Sequence, residues 1–204
     1  MSDALELYGV ALSDGGELGL HRDGVETIAV RDLAAITGRS AYHRMEPAER
    51  DFERHAAVLE AVATRYPVAP APVGTVFKGR DTLVRWMELH YHALHEALAF
   101  LDGRVVARVH VVRRDIKLPA IGTDIAASAA EIFKTLRAQS AAMVTLKTEH
   151  LTGTVLSGAF LVERERLEMF ANAVTSAASS HGELDVQQTG PWPPYDFVRL
   201  DLGG

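Results

Sequence analysis

Near the end of the chain, Gly190-Pro191-Trp192-Pro193-Pro194-Tyr195-Asp196-Phe197 sets proline at 191, 193 and 194. Each proline ring fixes φ and deletes a backbone donor, so no helix runs through this stretch and no ordinary central strand can hold it. The backbone around Trp192 is expected to be extended and stiff, without full sheet hydrogen bonding. Trp192, Tyr195 and Phe197 put three large rings on that backbone in a chain with 7% aromatic residues. Rings of this size dominate the energetics of a core or of an interface. Burying each contributes about 2 to 3 kcal/mol, enough to clamp the last strand to the preceding helix. Left exposed, they would form a docking strip for another protein. The core reading is the stronger of the two, and both can hold for different rings.

The 204 residues, 48% hydrophobic, suffice for one large domain or two small ones with a packed core. With 21 Lys plus Arg against 27 Asp plus Glu, the formal net charge is −6, and Arg113-Arg114 is an isolated basic pair. Phosphate binding needs a concentrated positive field, so nucleic acid is not an expected partner. The absence of cysteine excludes disulfides and thiolate metal sites and fits a reducing compartment. The first residues, Met1 to Glu6, show no basic segment leading into an apolar run, and nothing approaches the ~20 apolar residues that span a bilayer. A cytoplasmic protein without a membrane partner is the expectation.

Residues 5–12 alternate as a first strand, with Gly9 a bulge or close-approach point. Leu18 to Arg22 and Val25 to Val30 flank Asp23-Gly24, a pair suited to a tight hairpin turn, and Leu33 to Thr37 extends or follows the second arm until Gly38 breaks it. From Pro47, Phe52, Leu59, Val62 and Tyr66 recur at helical spacing. Pro67, Pro70 and Pro72 argue against an ordinary central strand in the first half of the segment to Phe77, while Val73-Gly74-Thr75-Val76-Phe77 can pair. Asp81 caps a helix with Leu83, Trp86, Met87, His90, Leu94, Leu98 and Leu101 on one face, stopped by Asp102-Gly103. Arg104 to Asp115 is the clearest strand, with Val105, Ala107, Val109 and Val111 expected to face the core. After a connector at Ile116 to Gly122, Asp124 opens a long helix carrying Ile132, Phe133, Leu136, Met143 and Leu146. A strand at Val155 to Val162, a helix from Glu163, a strand at Leu184 to Gln187 and alternation of Val198, Leu200 and Leu202 complete the chain. Strands and helices mixed in two blocks predict an α+β protein.

His90, His92 and His95 are the obvious metal candidates, but their spacing departs from the helical zinc pattern and no acidic cluster completes a ligand set. Helix surface and packing account for them better. The glycines form neither nucleotide-binding pattern, there is no G-x-S-x-G elbow, and the acidic residues lie mainly on helical solvent faces. No enzyme activity, metal or cofactor is therefore expected.

The terminal motif, preceded by Gly158-Ala159-Phe160-Leu161-Val162-Glu163-Arg164, resembles the signature of the gas vesicle accessory proteins of the GvpL/GvpF family. Tyr8-Gly9-Val10 is similar to that family's opening strand, and Ile28 to Ile36 to its I-x-x-R-D-L-A-A-V block. His55-x-x-Val58-Leu59 and Pro70 to Phe77 are similar to its H-x-x-V-L and L-P-x-R-F-G-T-V-F elements. Pro72-Val73 depart from the usual Arg-Phe, and the segment from Ile116 to Asp124 is shortened. The resemblance implies two small domains: residues 1–116 as a modified ferredoxin-like sheet with helices on one face, and residues 117–204 as a smaller α+β domain. It implies a non-enzymatic, gas vesicle-associated role in which the protein binds the hydrophobic shell protein GvpA and other accessory proteins. The family motif residues that are candidates for interaction are Val73, Gly74, Thr75 and Phe77, with Gly190, Trp192, Pro194, Tyr195 and Phe197. The alternative is a small-ligand-binding regulator, since ferredoxin-like domains often hold metabolites between sheet and helices.

Overall fold

The computed structural model describes residues 4–13, 18–20, 24–41, 47–114, 123–148, 153–198 and 200. Among them are two antiparallel sheets in two compact units. One unit runs to Asp102 and takes in Val198 and Leu200; the other is Gly103–Phe197. The α+β class and the division into two are as expected from sequence.

The first unit comprises β1 (Leu5–Leu12), β2 (Val25–Val30), β3 (Leu33–Arg39), α1 (Glu49–Ala63), β4 (Val68–Pro70), β5 (Val76–Phe77), α2 (Arg80–Leu89) and α3 (Tyr91–Leu101). Its sheet runs β2-β3-β1-β4, with β5 also on β1. A hairpin turns at Arg31-Asp32, where Val30 lies opposite Leu33 and Arg31 takes φ of 57°; Asp23 of the expected Asp23-Gly24 turn lies outside the described residues. Two apolar runs of matching length on either side of Arg31-Asp32 set this register. Val68–Pro70 does pair, on the outer side of β1, a position where proline is tolerated.

Leu7, Val10, Ile28, Val30, Leu33 and Ala35 form one core face with Leu83 and Met87 of α2 and Leu94 and Leu98 of α3. The opposite face is α1's. A Cβ at Gly9 would stand 3.0 Å from Leu59 Cδ2 and 2.6 Å from the Ala69 carbonyl, so only glycine fits under the helix there. Helices thus cover both faces of this sheet, where the sequence placed them on one. The signal was the buried run Leu7, Tyr8, Val10 and Ala11, which marks a strand covered on two sides. The single helix expected from Asp81 is two, interrupted at His90, with Gly79 at the N-cap and Asp81 in the first turn. Met87 and Leu94 keep a seven-residue spacing across the break, so periodicity ran through it unchanged.

The second unit comprises β6 (Arg104–Arg113), α4 (Thr123–Arg137), β7 (Ala142–Thr145), β8 (Thr154–Glu163), α5 (Leu167–Ser179) and β9 (Leu184–Trp192), with a 3₁₀ turn at Arg164–Arg166. The sheet order is β7-β8-β6-β9. Ala107, Val109 and Val111 face the core as expected, against Ile132, Phe133 and Leu136 of α4 and Phe170 and Val174 of α5. The long helix stops at Arg137, and Met143 belongs to β7 opposite Phe160; its helical spacing from Leu136 was coincidental. β6 pairs with β8 and β9, so the units divide at Asp102/Gly103 and not near 116, and the expected connector lies outside the described residues. β6's own pattern carries no information about which sheet it joins. Val198 is in no strand; it and Leu200 pack into the first unit's core, and Leu202 is outside the described residues.

Candidate functional site

Both helices of the second unit pack on one face of its sheet. On the other face, alternation aligns Leu161, Val106 and Trp192 in one row, Ala159, Arg108 and Thr189 in the next, and Ser157, His110 and Gln187 in a third. The family motif is built onto this second face, opposite α4 and α5. β9 continues through Gly190 and Pro191 to Trp192, further than the prolines led us to expect. It can do so because it is an edge strand whose register shifts between Val106 and Arg108. Gly190 has φ of 116°, a Cβ there would stand 2.6 Å from the Val106 carbonyl, and the Gly190–Pro191 peptide is cis.

Beyond β9 the chain turns back, with the Phe197 amide donating to the Pro194 carbonyl at 3.1 Å. The turn aims Asp196 at the sheet. Arg108 donates to it twice, Nε to Oδ2 at 3.1 Å and Nη2 to Oδ1 at 3.2 Å, a bidentate clamp between residues 88 apart in sequence. Pro194 is buried and Tyr195 and Phe197 are half-buried, while Trp192 is 44% exposed. The motif therefore splits: its later residues pack, and its tryptophan faces outward. That indole is nonetheless fixed, its Nε1–H donating to Thr189 Oγ1 at 3.1 Å and the Arg108 guanidinium standing 5.9 Å from the ring centroid. Deeper on the same face, His110 Nδ1 and Ser157 Oγ are 2.7 Å apart. Burial, then the Arg108 charge, hold His110 below its ordinary pKa, and Ser157 is fully buried, so the pair presents no nucleophile at the surface.

In the first unit, Val73 and Gly74 form a turn with Gly74 at φ of 81°, closed by the Thr75 amide and hydroxyl on the Pro72 carbonyl. Leu7 then donates to the Thr75 carbonyl, and Val76 and Phe77 pair with Glu6 and Leu5. Phe77 begins a ladder of rings, 5.7 Å to Trp86 and 5.1 Å from Trp86 to His90, beside Leu89, which is 76% exposed. The two families of candidate residues thus sit in separate units.

The histidines part company. His90 Nδ1 lies 2.8 Å from the Trp86 carbonyl, and His95 Nε2 lies 3.1 Å from Asp32 Oδ2. Asp32 also accepts from the Tyr91 hydroxyl at 2.8 Å, which raises the phenol's pKa, and Arg31 stacks 4.3 Å from the Tyr91 centroid. The Arg-Asp turn is so stapled to α3. Among the described residues no group of three His, Asp or Glu could hold a metal ion. A cleft of about 580 Å³ lies near the start of β1, lined by Glu26, Arg39, Lys78, Arg80 and Asp81, with cations and anions interleaved. Sequence reasoning missed Arg31, Asp32, Arg108 and Asp196 as a working set; the one available signal was that Arg-Asp and Asp196 fall inside family motifs.

The fold and these surfaces define a two-domain α+β protein that presents ordered aromatic contacts. The chain belongs to the family described as gas vesicle synthesis protein GvpL/GvpF, whose model matches residues 5–126 and 120–199. It is 30% identical over 212 residues to gas vesicle protein F2 of Halobacterium salinarum, covering 98% of this chain and 94% of that protein. It is likewise 30% identical over 216 residues to gas vesicle protein F of Haloferax mediterranei, covering 100% and 97%. The crystal structure of GvpF from Anabaena superposes with a TM-score of 0.80 at 17% identity over 98% of this chain and 100% of that one. GvpF from Microcystis aeruginosa gives 0.70 at 15% identity over 97% and 100%. At these identities the likeness speaks for the fold. Membership gives the protein an accessory role in gas vesicle synthesis, in a family that is not a known enzyme family. No helix among the described residues is long and apolar enough to cross a membrane.

Proposed function

We propose that this protein is a non-enzymatic, cytoplasmic assembly factor that binds the hydrophobic shell protein GvpA, together with other accessory proteins, while the vesicle wall is built. An amphipathic wall subunit aggregates unless another protein meets its apolar face before it joins the growing shell. The observation that carries the reading is the pairing of a family match over residues 5–126 and 120–199 with a tryptophan that is exposed yet held in one orientation. A rigid exposed indole loses little freedom on docking, and Trp and Arg are the residues most often found at binding hot spots. The second contact is the strand edge at Val73 to Phe77, whose two-residue pairing leaves room for an added strand. The test is complementation: a strain lacking the gene forms few or no gas vesicles, and wild-type chain restores them where a Trp192→Ala, Phe77→Ala double variant that folds normally does not. Normal vesicles in the deletion strain would remove the proposal.

A further inference from the structure

Four buried side chains attach α1 to its sheet, and beside Val58, Leu59 and Val62 the fourth is His55, 5% exposed. Its ring lies 5.4 Å from that of Tyr8, itself 1% exposed; the imidazole's polar neighbours are the backbone carbonyls of Ala71 and Tyr8 and the Tyr8 hydroxyl's is Glu6, none of them at good hydrogen-bond geometry. Buried polar atoms are nearly always well bonded, so two adjacent side chains with such loose partners call for a reason. A leucine would fill this space and orphan nothing. What an imidazole adds is a proton equilibrium, placed at the middle of the helix's attachment.

We infer that α1 is an acid-releasable cover over one face of the N-terminal sheet, latched by an uncharged His55, and that its release bares Tyr8, Ala34 and Ile36. Burial holds the His55 pKa below 6.5, with the nearby carbonyls of Ala71 and Tyr8 opposing the shift only in part. Among the described residues, the charged and titratable groups around the ring are Arg54 and Asp51 on α1 and Glu6 and Tyr8 on β1, and the segment after β4 offers its backbone. Arg54 already stands 6.0 Å from the Tyr8 centroid, so a protonated His55 would add a second cation beside it. The signs separate the candidates. The closed form keeps His55 neutral and the open form protonates it at its ordinary value, so opening grows as pH falls below 6.5, by at most about tenfold per pH unit. Glu6 is held above 4.5 by burial, so its proton uptake favours the closed form and cannot drive the release.

Because the chain has no cysteine, a single introduced thiol reports on opening without background. The Ile36→Cys variant places it under α1, and the Ala35→Cys variant places it on the opposite face of the same strand, where the thiol's own pH dependence is shared. Between about pH 7 and pH 5.5 the ratio of labelling rates, Ile36→Cys to Ala35→Cys, should rise, by no more than about tenfold, and with His55→Leu added it should stay flat. A flat ratio with His55 present, an equal rise with His55→Leu, or both thiols opening together would each overturn the inference. If the Ile36→Cys variant does not fold, amide exchange of α1 relative to α3, corrected for intrinsic rates, reads the same opening in the unmodified chain.

Discussion

Breaking the clamp between Arg108 and Asp196 should loosen the family motif from the second sheet. Two charge-assisted hydrogen bonds of good length join the pair, and bonds of this kind contribute about 1.5 to 3 kcal/mol when well shielded. Shielding here is partial, with the Arg108 side chain 38% exposed and Asp196 17%, so the contribution must be discounted. A coupling of about 1 to 2 kcal/mol results, which for a unit of roughly 95 residues corresponds to about 5 to 10 °C in Tm. The measurement is a double-mutant cycle of Arg108→Ala and Asp196→Ala in urea. The chain has two tryptophans, one in each unit, so a Trp86→Phe background leaves Trp192 as reporter of the second. Each single variant should lose more than its share of the coupling, because it strands the partner charge, and the double variant should lose less than the sum. Salt should shrink the coupling only modestly. Strict additivity, with coupling below about 0.3 kcal/mol, would refute the reasoning.

Other consequences follow from the same packing. Leu200→Ala should destabilise the first unit by about 2 to 3 kcal/mol although it lies beyond the second in sequence, seen as an earlier Trp86 transition with that of Trp192 unmoved. Gly9→Ala should be worse than its size suggests, since the Ala69 backbone has no room for a Cβ; thermal melting checks this, and a wild-type Tm would count against the close approach of β4 to Gly9. His55 and His110 both have lowered pKa values, so the unfolded chain binds protons first and stability should fall as pH drops below 6.5. Each imidazole contributes no more than about 1.4 kcal/mol per pH unit, and urea midpoints that rise between pH 6.5 and 5.5 would contradict both assignments.

Patterns confined to a few residues were legible in the sequence, and choices among partners were not. The inward parity of Val105, Ala107, Val109 and Val111, the helix through Val58 to Val62 and the stop at Asp102-Gly103 all rest on local periodicity or turn chemistry, and each is present in the fold. The sheet that β6 joins, the turn at Arg31-Asp32 and the pairing of Val68–Pro70 depend on which segments meet, and register settled them. Met143 shows the limit of periodicity, since a four-residue strand offers too little pattern to compete with the helix before it. The proline segment gave correct chemistry and an incomplete consequence: stiffness excluded a central strand, and an edge strand remained open to it. At the candidate site the aromatic residues were visible, but Asp32 with Tyr91 and Arg108 with Asp196 lie 59 and 88 residues apart, and no single-sequence spacing rule joins them.

Retention of the shell protein by this chain tests the central claim most directly. With GvpA co-expressed, wild-type protein should hold it through purification, and a folded Trp192→Ala variant should bind it about thirtyfold more weakly, as loss of a hot-spot tryptophan predicts. Failure of the wild-type chain to hold the shell protein, or equal binding by the variant, would contradict the account.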